Sequence, residues 1–216
     1  MCSSDLLVAA GVSLVFTSNV PPSGLYRDGL QRSRFLPTIA LLERVTEVIE
    51  VDAGVDYRLR VLQKAPVFTL TDAAADTFLN QRFDALSNGE DESSPFLQIE
   101  GRPIPVRRRR DGVVWFDFRA LCDGPRGTDD YIAIACQFHT VILSGVPSLG
   151  ADDNAARRFI ALIDELYERG VKLLLSSEAP FNKLYGGERL AFEFRRTVSR
   201  LTEMQSTDYL GLPHRP

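Results

Sequence analysis

The apolar positions of this chain change period along its length. The run Val12-Ser13-Leu14-Val15-Phe16 follows a stop at Gly11 and ends in Thr17-Ser18-Asn19 and a Pro21-Pro22 turn, which predicts a buried strand. Residues 25–44 carry a mainly helical pattern that Pro37 divides into a shorter and a longer piece, and the β-branched run 45–51 predicts a second strand. From Asp56 the character changes. A strand at 57–62, a helix at 72–86 and a loop at 87–95 rich in Gly, Asp and Ser precede strands at 96–100, 104–109 and 113–118. Asp111-Gly112 marks a hairpin turn, because glycine tolerates positive φ. A helix at 131–138 leads to a strand at 140–144. In 155–169 the apolar residues Phe159, Leu162, Ile163 and Leu166 recur at i, i+3, i+4 and i+7, the stripe of an amphipathic helix. With the strand at 171–175 behind Gly170 it makes a β-α-β unit whose strands should be parallel and joined right-handedly. Residues 187–208 predict one long helix.

Composition adds bounds rather than chemistry. The chain has 216 residues, 44% of them hydrophobic and 25% charged, as in an ordinary globular protein able to bury a sizeable core. A formal charge of −4 argues against a general nucleic-acid binder, which needs net positive charge to release phosphate counterions. Cys2, Cys122 and Cys136 lie far apart without CxxC spacing, and only His139 and His214 are available, so neither a zinc site nor a disulfide framework is indicated. No apolar run approaches a bilayer-spanning length of roughly 20 residues, and no basic leader opens the chain, so a cytoplasmic protein without a membrane anchor is expected. Residues 1–6 can be encoded by a nucleotide string that matches the end of a common sequencing adapter, and they are expected to be a non-native leader.

Two patterns stand out from this background. At an offset of 159, Val12, Leu14, Ser18, Pro21, Leu25 and Tyr26 are matched by Val171, Leu173, Ser177, Pro180, Leu184 and Tyr185. The two segments should share one strand-to-helix geometry, convergence on a common turn being the favoured origin. Arg107 to Arg110 is the sharpest charge run. It reads as a solvated loop, since only alternate strand residues share a face, with an acidic partner or nucleic acid as the other uses of such a run. Trp115 and its neighbouring phenylalanines are expected to fill the core of a small α+β insertion in the middle of the chain rather than to stack on bases.

The series Thr17-Ser18-Asn19-Val20-Pro21-Pro22, Leu25-Tyr26, Gly29-Leu30-Gln31-Arg32 and Arg34-Phe35-Leu36-Pro37 resembles the ZapE family of AAA+ ATPases, which includes the lactation-elevated proteins. Asp56-Tyr57-Arg58, Trp115-Phe116-Asp117-Phe118, Leu121-Cys122 and Asp130-Tyr131 follow in order. Arg158-Phe159-Ile160, Leu162 to Tyr167, Phe192-Glu193-Phe194, Arg196-Thr197, Ser199-Arg200-Leu201 and Glu203-Met204-Gln205-Ser206 complete a resemblance that covers residues 7–210.

The resemblance implies an α/β fold, the C-terminal part of a P-loop AAA+ module with a mainly parallel sheet and a small α+β insertion. Residues 7–55 would hold the sensor strand and arginine-finger helix, 56–128 the insertion, and 129–216 the β-α-β unit and C-terminal helix. It further implies that Asn19 is a first sensor that orients the attacking water, and that Arg32, with Arg34 as second choice, is an arginine finger reaching a neighbouring subunit. The bare-sequence alternatives are a turn cap at 17–19 and a solvated helix face. Arg196 and Arg200 share a helix face and are candidates for nucleotide contact as second sensors, or for surface ion pairs with Glu193 and Glu203. The GxxxxGK[ST] pattern is absent from these residues, as is any Gly-Lys pair, and Asp164-Glu165 sits inside a helix rather than at a strand end. The chain alone is therefore not expected to hydrolyse ATP, and ATP and Mg2+ are cofactors expected of the complete protein. The family implies a homo-oligomer when complete and, through its bacterial branch, the division-ring protein FtsZ as partner. The other class of function open to the sequence is a P-loop-free adaptor that binds other ATPase subunits or acidic proteins.

Overall fold

The computed structural model describes residues 12, 13, 15–18, 21–25, 32–49, 62, 68–99 and 101–216, with backbone alone at Ser33 and Arg34. The chain divides into two compact units, Met1–Val55 and Asp56–Pro216.

In the first unit a 3-10 turn, Pro22–Gly24, precedes helix α1, Arg32–Val45. Pro37 does not divide the helix as expected; it lies inside one continuous element. Proline there removes only the bond its own N–H would have made one turn back, and the turns on either side keep theirs. The strand expected at 12–16 is not formed in the described residues, and Val15 is 92% exposed. The second expected strand is not formed in its described residues either, since α1 runs through Val45 and residues 46–49 have no regular structure; residues 50 and 51 lie outside the described residues. A parallel strand forms only against hydrogen-bonding neighbours, and none of the described residues pairs with either run. The strand expected at 57–62 lies outside the described residues except Leu62, which has helical backbone.

The second unit is built on a five-stranded sheet in the order β1-β7-β6-β5-β4. β1 is Phe68–Leu70, β4 Arg108–Arg110, β5 Val113–Asp117, β6 Thr140–Val146 and β7 Lys172–Ser177. β1, β7, β6 and β5 are mutually parallel and only the edge strand β4 is antiparallel, in keeping with the expected mainly parallel α/β fold. Residues 56–128, read from sequence as an α+β insertion, supply three of these five strands. The strand expected at 104–109 is divided: β3, Arg102–Pro105, forms a separate ribbon with β2, Phe96–Ile99, and the chain then joins the main sheet at β4.

A parallel sheet must be covered on both faces. Helix α2, Ala75–Leu86, covers one: Leu79, Phe83 and Leu86 pack on Val113, Trp115, Ile142 and Leu174. The opposite face presents Val114, Phe116, Val141, Leu143, Leu173 and Leu175 to α4, Thr128–Gln137, α5, Asp153–Glu168, and α6, Ala191–Glu203. A short helix α3, Phe118–Cys122, joins β5 to α4. The two sets alternate along each strand, as the two-residue period of a β-strand requires. Helix α5 carries the predicted stripe inward, with Phe159 fully buried between Phe118 and Phe194, ring centroids 6.0 and 6.3 Å away.

The hairpin at Asp111-Gly112 forms as expected, with φ of 48° and 73°. A Cβ on Gly112 would lie 2.7 Å from the His139 ring, so the turn needs glycine for space as well as for conformation. The long C-terminal helix is broken: α6 ends at Glu203, and Ser206 caps a new short helix α7, Thr207–Leu210, by accepting from the Tyr209 amide at 3.1 Å. The tail then turns back beneath the sheet. Lys172 Nζ donates to the carbonyls of Tyr209 and Leu212 at 2.9 and 2.7 Å, and the Arg215 amide donates to the Arg169 carbonyl at 2.8 Å.

Phe159→Ala removes a ring that three layers of side chains enclose. It should destabilise the fold by about 3–5 kcal/mol in urea titration. A loss under about 1 kcal/mol would mean that the α5 face is not the packed core described.

Candidate functional site

Arg32 opens α1, and its guanidinium donates to the Ser23 carbonyl of the 3-10 turn at 3.0 Å. It is half-buried and bonds to no carboxylate among the described residues. Asn19 lies outside the described residues, as does the side chain of Arg34. Thr17 and Ser18, immediately before Asn19, are exposed.

Arg196 and Arg200 stand in the second unit, on α6. Arg196 donates to Asp164 Oδ2 at 2.6 Å, and Arg200 binds Asp164 together with Glu168, the latter at 3.1 Å. Arg200 also lies over the Tyr167 ring, 5.0 Å from its centroid. Both arginines are ion-paired, but to α5 rather than to Glu193 and Glu203 of their own helix. The facing helix offers two carboxylates at once, which no single i±3 neighbour can do.

The arginine run is not a solvated loop; three of its four residues form the edge strand β4. Arg107 pairs with Asp76 and Asp117, both at 2.8 Å. Arg108 reaches Asp84 at 2.9 Å and Asp91 at 2.6 Å, Arg109 meets Glu92, and Arg110 reaches Asp84 at 2.7 Å. The guanidinium groups of Arg108 and Arg110 also lie 4.2 and 5.0 Å from the centre of the Phe83 ring. Five carboxylates thus meet four arginines, which leaves no cationic strip for a phosphate backbone. Two of the acids come from α2, far back in the chain, so the pairing was invisible to a local reading. Hydrogen bonds from Arg108 and Arg110 hold the Asp84 carboxyl below the usual carboxylate range.

A cleft of about 490 Å³ opens at the carboxyl ends of β5 and β6, lined by Pro105, Asp117, Phe118, Arg119, Ser144 and Gly145. Ligands of open α/β sheets bind at this pole. Trp115 Nε1 donates to Ser144 Oγ at 3.1 Å, Ser144 Oγ donates to Asp117 Oδ1 at 3.0 Å, and Asp117 is fixed by Arg107. The bulge between Leu143 and Val146 lets Gly145 take φ 71° and donate to Ser176 Oγ at 3.0 Å. The arrangement holds one half-exposed carboxylate in place at the cleft, its Oδ1 bonded to Arg107 and to the buried Ser144 hydroxyl. The signal for it in the sequence was Ser144-Gly145 interrupting an apolar strand. Elsewhere polar groups serve the fold. Burial pushes the Cys122 thiol up, away from thiolate chemistry, and His139 and His214 bond to the carbonyls of Asp111 and Ala135 at 3.0 and 2.7 Å.

The sequence model of the AFG1-like ATPase family matches residues 4–213. The chain is similar to the cell division protein ZapE of Escherichia coli K12, with 47% identity over 214 residues that cover 96% of this chain and 56% of that protein. It is also similar to lactation elevated protein 1 homolog B of Danio rerio, with 32% identity over 241 residues that cover 94% and 48% of the two chains. The chain spans about half the length of these curated relatives. No solved structure matches it.

Asp84 has a depressed folded pKa, so its stabilising contribution is complete above its unfolded value near 3.8 and is lost as pH falls through the folded value. Asp84→Asn should therefore melt below the parent at pH about 7, and the gap should narrow on acidification towards pH about 2. A gap of constant size across that range would show that the ion pairs do not fasten α2 to β4.

Proposed function

The chain belongs to the AFG1-like ATPase family, and on that premise we propose that it is the C-terminal portion of a ZapE-like AAA+ ATPase that couples ATP hydrolysis to remodelling of partner proteins. The phosphate-binding loop and the acidic magnesium-holding strand then come from residues other than these, and this chain contributes the groups that sense and complete the nucleotide site. In this reading Asn19 orients the attacking water, and Arg32 reaches the nucleotide of a neighbouring subunit, with Arg34 behind it. Arg196 and Arg200 can touch phosphate only by exchanging Asp164 and Glu168 for it, so their part is the smaller one. The cell-division name of the Escherichia coli relative carries over as a proposed process, with FtsZ the partner the resemblance implies. Among the described residues no helix is long and apolar enough to cross a membrane.

The observation that supports this reading is the state of Arg32. Its guanidinium is bonded to one described carbonyl at the start of a helix and is not neutralised by any described carboxylate, whereas the arginines of β4 and Arg196 and Arg200 of α6 are. A delocalised cation held in that way can stabilise the charge that develops on a transferred phosphoryl group. One observation favours the adaptor as a second reading: the unit Asp56–Pro216 has both sheet faces covered and a core of its own.

Fusing the chain to the P-loop-bearing N-terminal half that the family resemblance implies and measuring phosphate release separates the two. Arg32→Ala should lower kcat by about a thousandfold without changing the melting temperature. Mixing Arg32→Ala subunits with subunits lacking the P-loop lysine should restore part of the rate, because the finger acts in trans. Turnover indifferent to both Arg32→Ala and Asn19→Ala would remove the assigned roles. A stable, monodisperse chain that completes no ATPase would favour the adaptor.

A further inference from the structure

The echo at an offset of 159 extends from sequence into backbone geometry. After Pro21, Gly24 N donates to Pro21 O at 2.8 Å and Leu25 N to Pro22 O at 3.2 Å; after Pro180, Lys183 N donates to Pro180 O at 2.8 Å and Leu184 N to Phe181 O at 3.3 Å. The two prolines have nearly the same backbone angles, φ −61° and ψ 158° against φ −56° and ψ 150°. The same offset carries 32–45 onto 191–204, and α6 occupies Ala191–Glu203. Agreement therefore holds in the turn and in the placement of the helix after it, but not in the strand: residues 12, 13, 15 and 16 form none, whereas 172–175 lie in β7.

The two copies differ where the turn meets the helix. In the first, Arg32 spans the gap and bonds to the Ser23 carbonyl. In the second, the corresponding residues are Ala191 and Asn182, and the gap is a groove of about 640 Å³. Its floor is aromatic: Tyr185 and Phe194 stack with centroids 5.1 Å apart. The floor is also rigid, since the Tyr185 hydroxyl donates to Asp153 at 3.1 Å and accepts from the Leu190 amide at 3.0 Å. Among the residues that line the groove the only charge is that of Arg195, and Lys183 adds a second exposed cation on the turn. Glu193 shares the opposite helix face with Arg196 and Arg200, away from the groove. Next to Arg195, and 5.4 Å from its guanidinium, is the ring of Phe192, 77% exposed.

We propose that this groove binds a peptide segment of a partner protein, one that carries a large apolar side chain flanked by carboxylates. The apolar side chain rests on Tyr185, Phe194 and Val198, and the carboxylates meet Arg195 and Lys183. An aromatic floor with a cationic rim that no described carboxylate neutralises suits that chemistry and repels a basic peptide. The proposal concerns partner recognition and does not depend on nucleotide turnover, so it stands or falls separately from the roles of Asn19 and Arg32.

The test is selection of a displayed library of random dodecapeptides on the full 216-residue chain, followed by affinity measurement with the enriched peptides. Enriched sequences should place Phe, Trp, Leu or Ile beside Asp or Glu. Arg195→Glu should weaken them about tenfold or more, and Ala191→Arg, which restores the residue of the first copy at an exposed position, should abolish binding. Both variants should keep the parent melting temperature and circular dichroism. Enrichment of basic or charge-indifferent peptides, no enrichment at all, or binding that survives Ala191→Arg in a folded chain would overturn the proposal. Binding of single-stranded DNA that Arg195→Glu abolishes, without any enriched peptide, would also overturn it and assign the groove to nucleic acid.

Discussion

Two-sided burial of the parallel strands β5, β6 and β7 is the constraint on which the rest of this structure depends. With only intermediate helices on one face and nothing on the other, Val113, Trp115, Ile142 and Leu174 would stand in water. Helix α2 answers that need; a short turn joins it to the edge strand β1, but a long connection separates it from β4 and β5, so on that side it is fastened by its side chains. Phe83 supplies the apolar contact, and Arg108 and Arg110 clasp its ring while pairing with Asp84 one residue on. The edge strand is thereby occupied by the same groups that hold the covering helix, and the Glu92 amide, from the loop after α2, bonds the Arg109 carbonyl at 2.9 Å.

Arginine is consequently the general fastener of this chain. Arg102 reaches the fully buried Asp130 at 2.7 Å, and Arg196 and Arg200 pin α6 to α5. An abundance of arginine in the sequence therefore says little about nucleotide contact. Discrimination comes from the partners. Among the described residues Arg32 differs from these by a tether to a backbone carbonyl alone, and Arg195 by an aromatic one.

Much of the second unit was legible because its signals are local. The stripe at Phe159, Leu162, Ile163 and Leu166 fixes an amphipathic helix from sequence alone, and Asp111-Gly112 can hardly be anything but a tight turn. The runs 12–16 and 45–51 misled because a short apolar run specifies a strand only when neighbours are there to bond it. The break at 204–206 depends on a serine cap whose strength rivals continued helix. The ordered motif series contained Trp115 and Asp117 but could not reveal their link through Ser144, because that serine stands on the neighbouring strand β6 and meets them only through sheet register.

The C-terminal tail has a practical consequence. Held by Lys172, Ala135 and Arg169, it ends at the amino-terminal pole of the strands. Asp117, Ser144 and the turn after Ser177 lie at the other pole, a strand length of roughly 20 Å away. A fluorophore or surface tether attached at Pro216 would thus sit at the amino-terminal pole of the strands, with Asp117, Ser144 and the turn after Ser177 at the pole turned away from the support.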